Sequence, residues 1–190
     1  MDWPKCAGCL ACLLGLTRRI ESQSSNQLVW ERPSPADPRI PQEVVLNLAE
    51  RFIAEQGAPQ FLEGQRVVPI LRLPCKPRDR FVLSMTTPTE QAGQGVQLAV
   101  QKGSLRINKQ DLVRPVLWEA SSPKRVELTV LKGSELRIWN CWRGPQGQTM
   151  AWIGNAGIVV HEDVGRWRLE CSQGPGLPQF DDLLVMVEAG

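Results

Sequence analysis

From Arg66 to Val187 apolar and polar residues alternate with a period of two, in short runs broken by Gly, Pro, Ser or Asp. Neighbouring side chains of a strand point to opposite faces, so this pattern demands layered β-structure and is incompatible with a helical bundle. The runs fall near residues 66–73, 80–86, 95–101, 104–108, 113–119, 125–131, 135–142, 149–154, 156–161, 165–171 and 182–188. Many short strands at even spacing make a sandwich or a barrel. Pro69 and Pro115 lie inside their runs and cannot donate to a ladder, which places those strands at edges or bulges.

An internal echo strengthens the reading. GVQLAVQKGSLRIN begins at Gly95, and RVELTVLKGSELRIWN begins at Arg125. Val96, Leu98 and Val100 match Val126, Leu128 and Val130; Lys102-Gly103-Ser104 matches Lys132-Gly133-Ser134; after one inserted Glu135, Leu105-Arg106-Ile107 matches Leu136-Arg137-Ile138. Strand, Lys-Gly-Ser turn, strand reads as one hairpin written twice.

The chain before this region has a different character. Residues 41–56, PQEVVLNLAERFIAEQ, predict a helix whose apolar stripe is Val44, Val45, Leu48, Phe52 and Ile53, with Pro41 in its first turn and Gly57 as its stop. Such a stripe must bury against a sheet face. Residues 31–41 carry Pro33, Pro35, Pro38 and Pro41, an extended tether. The expected organisation is therefore a flexible leader and tether over 1–40 and a single domain over 41–190, with its sandwich from about 65.

Cys6, Cys9 and Cys12 form CAGCLAC in the leader. Zinc and iron–sulfur sites use this spacing, but the fourth thiolate is missing, so a short extension with incidental thiols is the reading preferred. The apolar run 6–16 is too short to span a bilayer, which takes about 20 residues. Its basic residues, Arg18 and Arg19, follow it, unlike those of an export signal. Six cysteines without such a signal point to a reducing, cytoplasmic setting.

The chemistry available is narrow. The chain has one histidine, no tyrosine, and a net charge of +2. Any Ser–His or Cys–His device would have to use His161, which runs from an apolar stretch into Glu162 and Asp163. No GxSxG, HExxH, P-loop or GxGxxG pattern is present. The expectation is a non-catalytic protein. Globally the charge does not call for nucleic acid, although Arg72, Lys76, Arg78 and Arg80 oppose only Asp79 and form a basic loop that could meet an anion.

LRIWNCWR at 136–143 and MAWIGNAG at 150–157 crowd three tryptophans with arginine and asparagine. Alternation sends Leu136, Ile138, Asn140 and Trp142 to the core and Arg137, Trp139, Cys141 and Arg143 to the other face. If Trp142 opposes Thr149, Trp152 shares a face with Trp139. If Arg143 opposes Thr149, Trp152 falls opposite Asn140. A pair of indoles flanked by arginine is a platform for a sugar ring or a base, while a covering helix at 41–56 would turn the same rings into core, the reading preferred because Trp is usually largely buried. The candidate ligand residues are thus Arg137, Trp139, Arg143 and Trp152. Asn155, in a Gly-Asn-Ala-Gly turn, reads as a structural residue. At the other end, Asp181 and Asp182 open the last strand; paired acids there can hold calcium together with loop carbonyls.

The strand KGSELRIWN and the closing strand FDDLLVMV give residues 81–187 a resemblance to galactose-binding-like jelly-roll modules. That resemblance implies a carbohydrate or protein partner and a structural calcium at Asp181 and Asp182. Taken together, the expectation is an antiparallel, jelly-roll-like β-sandwich with one N-terminal amphipathic helix packed on it. Its expected role is binding or assembly, with carbohydrate as ligand. The alternatives are a protein–protein adaptor, in which edge strands could make a homo-oligomer, and single-stranded nucleic-acid binding.

Overall fold

A computed structural model describes residues 46–88 and 93–190. The predicted leader and tether, with Cys6, Cys9 and Cys12, lie outside the described residues. Among the described residues one helix, α1 (Leu48–Ala54), precedes fourteen strands. These are β1 (Gln60–Leu62), β2 (Gln65–Val68), β3 (Leu71–Pro74), β4 (Arg80–Thr86), β5 (Gln94–Val100), β6 (Ser104–Ile107) and β7 (Gln110–Leu112). They continue with β8 (Val116–Trp118), β9 (Val126–Lys132), β10 (Glu135–Arg143), β11 (Thr149–Met150), β12 (Gly157–Asp163), β13 (Arg166–Ser172) and β14 (Leu183–Ala189). A nine-stranded antiparallel sheet runs β1-β2-β12-β13-β14-β4-β9-β6-β7. The smaller sheet runs β11-β10-β5-β8, with β3 pairing the same edge of β10 further along.

The strand pattern identified most elements, and the departures have local causes. The run 66–73 is two strands, because Pro69 breaks the ladder and sends β2 into one sheet and β3 into the other. Pro115 leads into β8, the edge of the smaller sheet, as its missing donor requires. The run 149–154 contributes only two paired residues. The three-residue strands β1 and β7 carry too few residues for alternation to show.

The echoing segments are not hairpins. β5 lies in the smaller sheet and β6 in the larger; β9 lies in the larger and β10 in the smaller. Each Lys-Gly-Ser is a corner at which the chain crosses from sheet to sheet, as in jelly-roll-like sandwiches, and the two copies pair with each other. Val100 faces Leu136 and Leu98 faces Ile138 in one sheet. Their sequence equivalents, Val130 with Leu105 and Leu128 with Ile107, face each other in the other. The corners interlock by backbone: Gln101 N–H donates to Glu135 C=O at 2.9 Å, and a Cβ added at Gly103 would lie 1.7 Å from Lys132 O. Only glycine fits such an approach.

The sheets share one core. Val96, Leu98, Val100, Leu136 and Ile138 of the smaller sheet meet Leu83, Leu105, Leu128, Val130, Leu169, Leu183, Val185 and Val187 of the larger. On the opposite, outer face of the larger sheet, Val67 and Val159 receive Leu48 and Phe52 of α1. Of the expected apolar stripe, Leu48 and Phe52 bury, Ile53 is 67% exposed, and Val44 and Val45 lie outside the described residues. Of the predicted 41–56, residues 41–45 lie outside the described residues, and within the rest the helix is confined to Leu48–Ala54. Asn47 is its N-cap, with an extended backbone and a side-chain oxygen accepting from Glu50 N–H, and residues 55–57 form a turn. A second acceptor, Asn155 Oδ1, takes the N–H of Leu48 at 3.2 Å, and Gly154 C=O takes that of Ala49.

Candidate functional site

The register of β10 decides which side chains share its outer face. Leu136 and Ile138 enter the core, so alternation sets Arg137, Trp139, Cys141 and Arg143 on the other side of the smaller sheet, where Trp139 and Cys141 are nonetheless buried and Trp139 packs with the hydrophobic core. Beside them in the ladder stand Ala99, Gln97 and Gly95 of β5, then Val116 and Trp118 of β8, with Arg72 of β3 opposite Arg137.

Arg143 opposes Thr149, which is the register that would have set Trp152 opposite Asn140. Yet Trp152 meets Trp139. The chain leaves the sheet after Met150, and Trp152 takes a left-handed backbone with φ 58°. That turn swings its indole onto Trp139, with ring centroids 5.0 Å apart and planes tilted by 31°. The contact is of the kind worth about 0.5–1.5 kcal/mol beyond area burial. Trp139 is the floor of the site, 3% exposed, and Trp152 is its half-buried upper layer. Trp139 is thus covered and packed with the hydrophobic core, with Trp152 rather than a helix against its ring. The buried Nε1 of Trp139 has no hydrogen-bond partner among the described residues.

The flanking cations are held in two ways. Arg143 is exposed and places its guanidinium 4.3 Å from the ring centre of Trp118. Arg137 donates to Glu135 at 2.6 Å, and Arg72 reaches the same carboxylate oxygen at 3.1 Å. Burial alone would raise the Glu135 carboxyl, but the two guanidiniums outweigh it and hold the group below its ordinary range. Cys141 lies between these rows, buried, with its thiol pushed up to about 12 by burial against the opposing charge of Arg143. That thiol is no nucleophile near neutral pH. Trp118 and Gln97 complete the face and were missed from sequence, although the alternation in VLW (116–118) sends Val116 and Trp118 to one side.

Other candidates fall elsewhere. Asp182 is buried, and its Oδ2 accepts the Gln173 N–H at 2.7 Å, while Asp181 is exposed. Among the described residues no group of three or more His, Cys, Asp or Glu could hold a metal ion. His161 stands on the outer face of the larger sheet with Nε2 3.0 Å from Glu170, which also binds Arg168. Asn140 donates to Ser172 C=O at 2.8 Å inside the sandwich. Asn155, besides capping α1, donates to Gly176 C=O at 2.7 Å. Both asparagines are structural. Among the described residues no helix is long and apolar enough to cross a membrane.

What the fold and this face define is a β-sandwich carrying an arginine- and tryptophan-lined outer surface on its smaller sheet. No family model, curated protein or solved structure matches the chain.

Proposed function

We propose that the protein is a non-catalytic binding module whose ligand, a carbohydrate, docks on the outer face of the smaller sheet. The observation that carries this reading is Trp152. A tryptophan held in left-handed backbone costs on the order of 1–3 kcal/mol, and such strain concentrates at binding sites. Burial of the indole as core needs no such backbone. The strain instead sets a half-buried ring onto Trp139, whose ladder neighbour is Gln97 and whose strand also carries Arg137 and Arg143. An aromatic face with polar groups at its rim suits a sugar ring, whose C–H face is apolar and whose edge is hydroxylated. The resemblance to galactose-binding-like modules points the same way.

The test is a glycan array followed by titration of intrinsic tryptophan fluorescence with the saccharides it selects. Binding should quench the fluorescence, and Trp152→Ala should weaken it by about tenfold or more, a loss of roughly 1.4 kcal/mol. An array without signal, or a Trp152→Ala variant that binds as well as the parent, would contradict the assignment.

A further inference from the structure

We propose that the ligand of this face is an acidic polysaccharide, bearing sulfate or carboxylate groups, which runs along β10 from Arg143 to the interlocked corners. The inference rests on the carbohydrate reading above and extends it to the charge of the ligand and to a second contact area.

The corners continue the face. Arg72 sits beside Arg137, and two residues beyond β3's Leu73 Cys75 donates its N–H to Ser134 C=O. Arg78 N–H donates to Val130 C=O, and Gln101 N–H to Glu135 C=O. Lys76, Arg78, Lys102 and Lys132 are thereby gathered at the end of the sandwich toward which β10 begins. All four are exposed, and none forms an ion pair or a side-chain hydrogen bond with another described residue. With Arg72, Arg137 and Arg143 they make seven cations. The described carboxylates among them are Asp79, which accepts from Lys76 N–H, and Glu135, which serves two arginines. Five net positive charges thus sit on one face and one end of a chain whose total is +2, leaving the remainder net negative. Arg80, the last cation of the basic run, faces out from the larger sheet beside Thr129 and is not part of the track.

Two of the seven cations sit on left-handed backbone, as do Gln56, Glu63, Asn108 and Lys109 elsewhere. Arg78 has φ 79° and Lys102 φ 51°, positions where glycine is easier. From Arg143 to Glu135 the track is about 26 Å long at roughly 3.3 Å per residue, the reach of several sugar rings. Single-stranded nucleic acid fits less well. It stacks successive bases on several aromatic faces, and here Trp152 alone offers one, since Trp139 is covered and Trp118 carries Arg143.

The full chain is titrated with a sulfated hexasaccharide, a neutral glucose hexasaccharide and oligothymidylate. The sulfated probe should bind, more weakly as salt rises, and at least about tenfold more tightly than either other probe. Lys132→Glu combined with Lys102→Gly should weaken it by about tenfold or more. Lys102→Gly relieves the left-handed strain, so the single variant should lose affinity without losing thermal stability. Equal affinity for the neutral hexasaccharide would overturn the acidic ligand and leave the carbohydrate reading standing. Tighter binding of oligothymidylate would overturn the polysaccharide. Silence toward both saccharides would remove both readings.

Discussion

Asp182 shows how one buried carboxyl links this fold to pH. Burial raises it, the charge of Asp181 adds to that, and the Gln173 N–H partly opposes both. Unfolded, the group titrates near 4. Above that value the folded chain still holds a proton that the unfolded chain has released, so the group's contribution to stability is full at lower pH. It is lost as pH rises through the folded value. Asp182→Asn keeps an acceptor for Gln173 and removes the buried charge. Urea midpoints should show this variant to be more stable than the parent at pH 7, with the difference closing below about pH 4. A calcium-dependent rise of the parent's midpoint, abolished in Asp182→Asn, would instead place the cation implied by the resemblance at Asp181 and Asp182.

At the scale of elements, the paired corners hold the two sheets together. Gly103→Ala would put a methyl group into Lys132 O, against backbone that cannot step aside, and should cost on the order of 3 kcal/mol or more. Gly147→Ala, also left-handed at φ 78° but with open space around it, should cost only about 1 kcal/mol. Equal losses in denaturant unfolding would contradict the interlocking. The sequence showed the two copies clearly, because V-x-L-x-V and K-G-S are local patterns. It could not show that they pair with each other, because a hairpin and a sheet-to-sheet corner use the same alternating residues around the same turn chemistry. Partner choice is made by the common core, not by neighbours in the chain. The helix start was hidden for a similar reason: Asn47 and Asn155 take different N–H groups of the first turn, and the second is 107 residues away from the N–H it caps.

For the whole molecule, the division into an apolar interior and two outer faces was legible from period two alone. One outer face is covered at one end by α1, as the amphipathic stripe required. The other carries all four residues singled out in the sequence, Arg137, Trp139, Arg143 and Trp152. Their shared face followed from alternation for three of them. Trp152 arrived there by a backbone turn that the ladder register argued against, since the strand that would have imposed the register ends at Met150. Trp118 and the cations of the corners joined them only through pairings far apart in sequence.

The central claim is that this outer face meets the ligand, and the seven tryptophans report on it directly. In a nitrogen–proton correlation spectrum, indole signals assigned by single Trp→Phe variants would be followed while the sulfated hexasaccharide is added. The account predicts that the signals of Trp118 and Trp152 move together and saturate at one concentration, while that of Trp167, on the larger sheet, stays still. Movement of Trp167 with Trp118 and Trp152 fixed would contradict it.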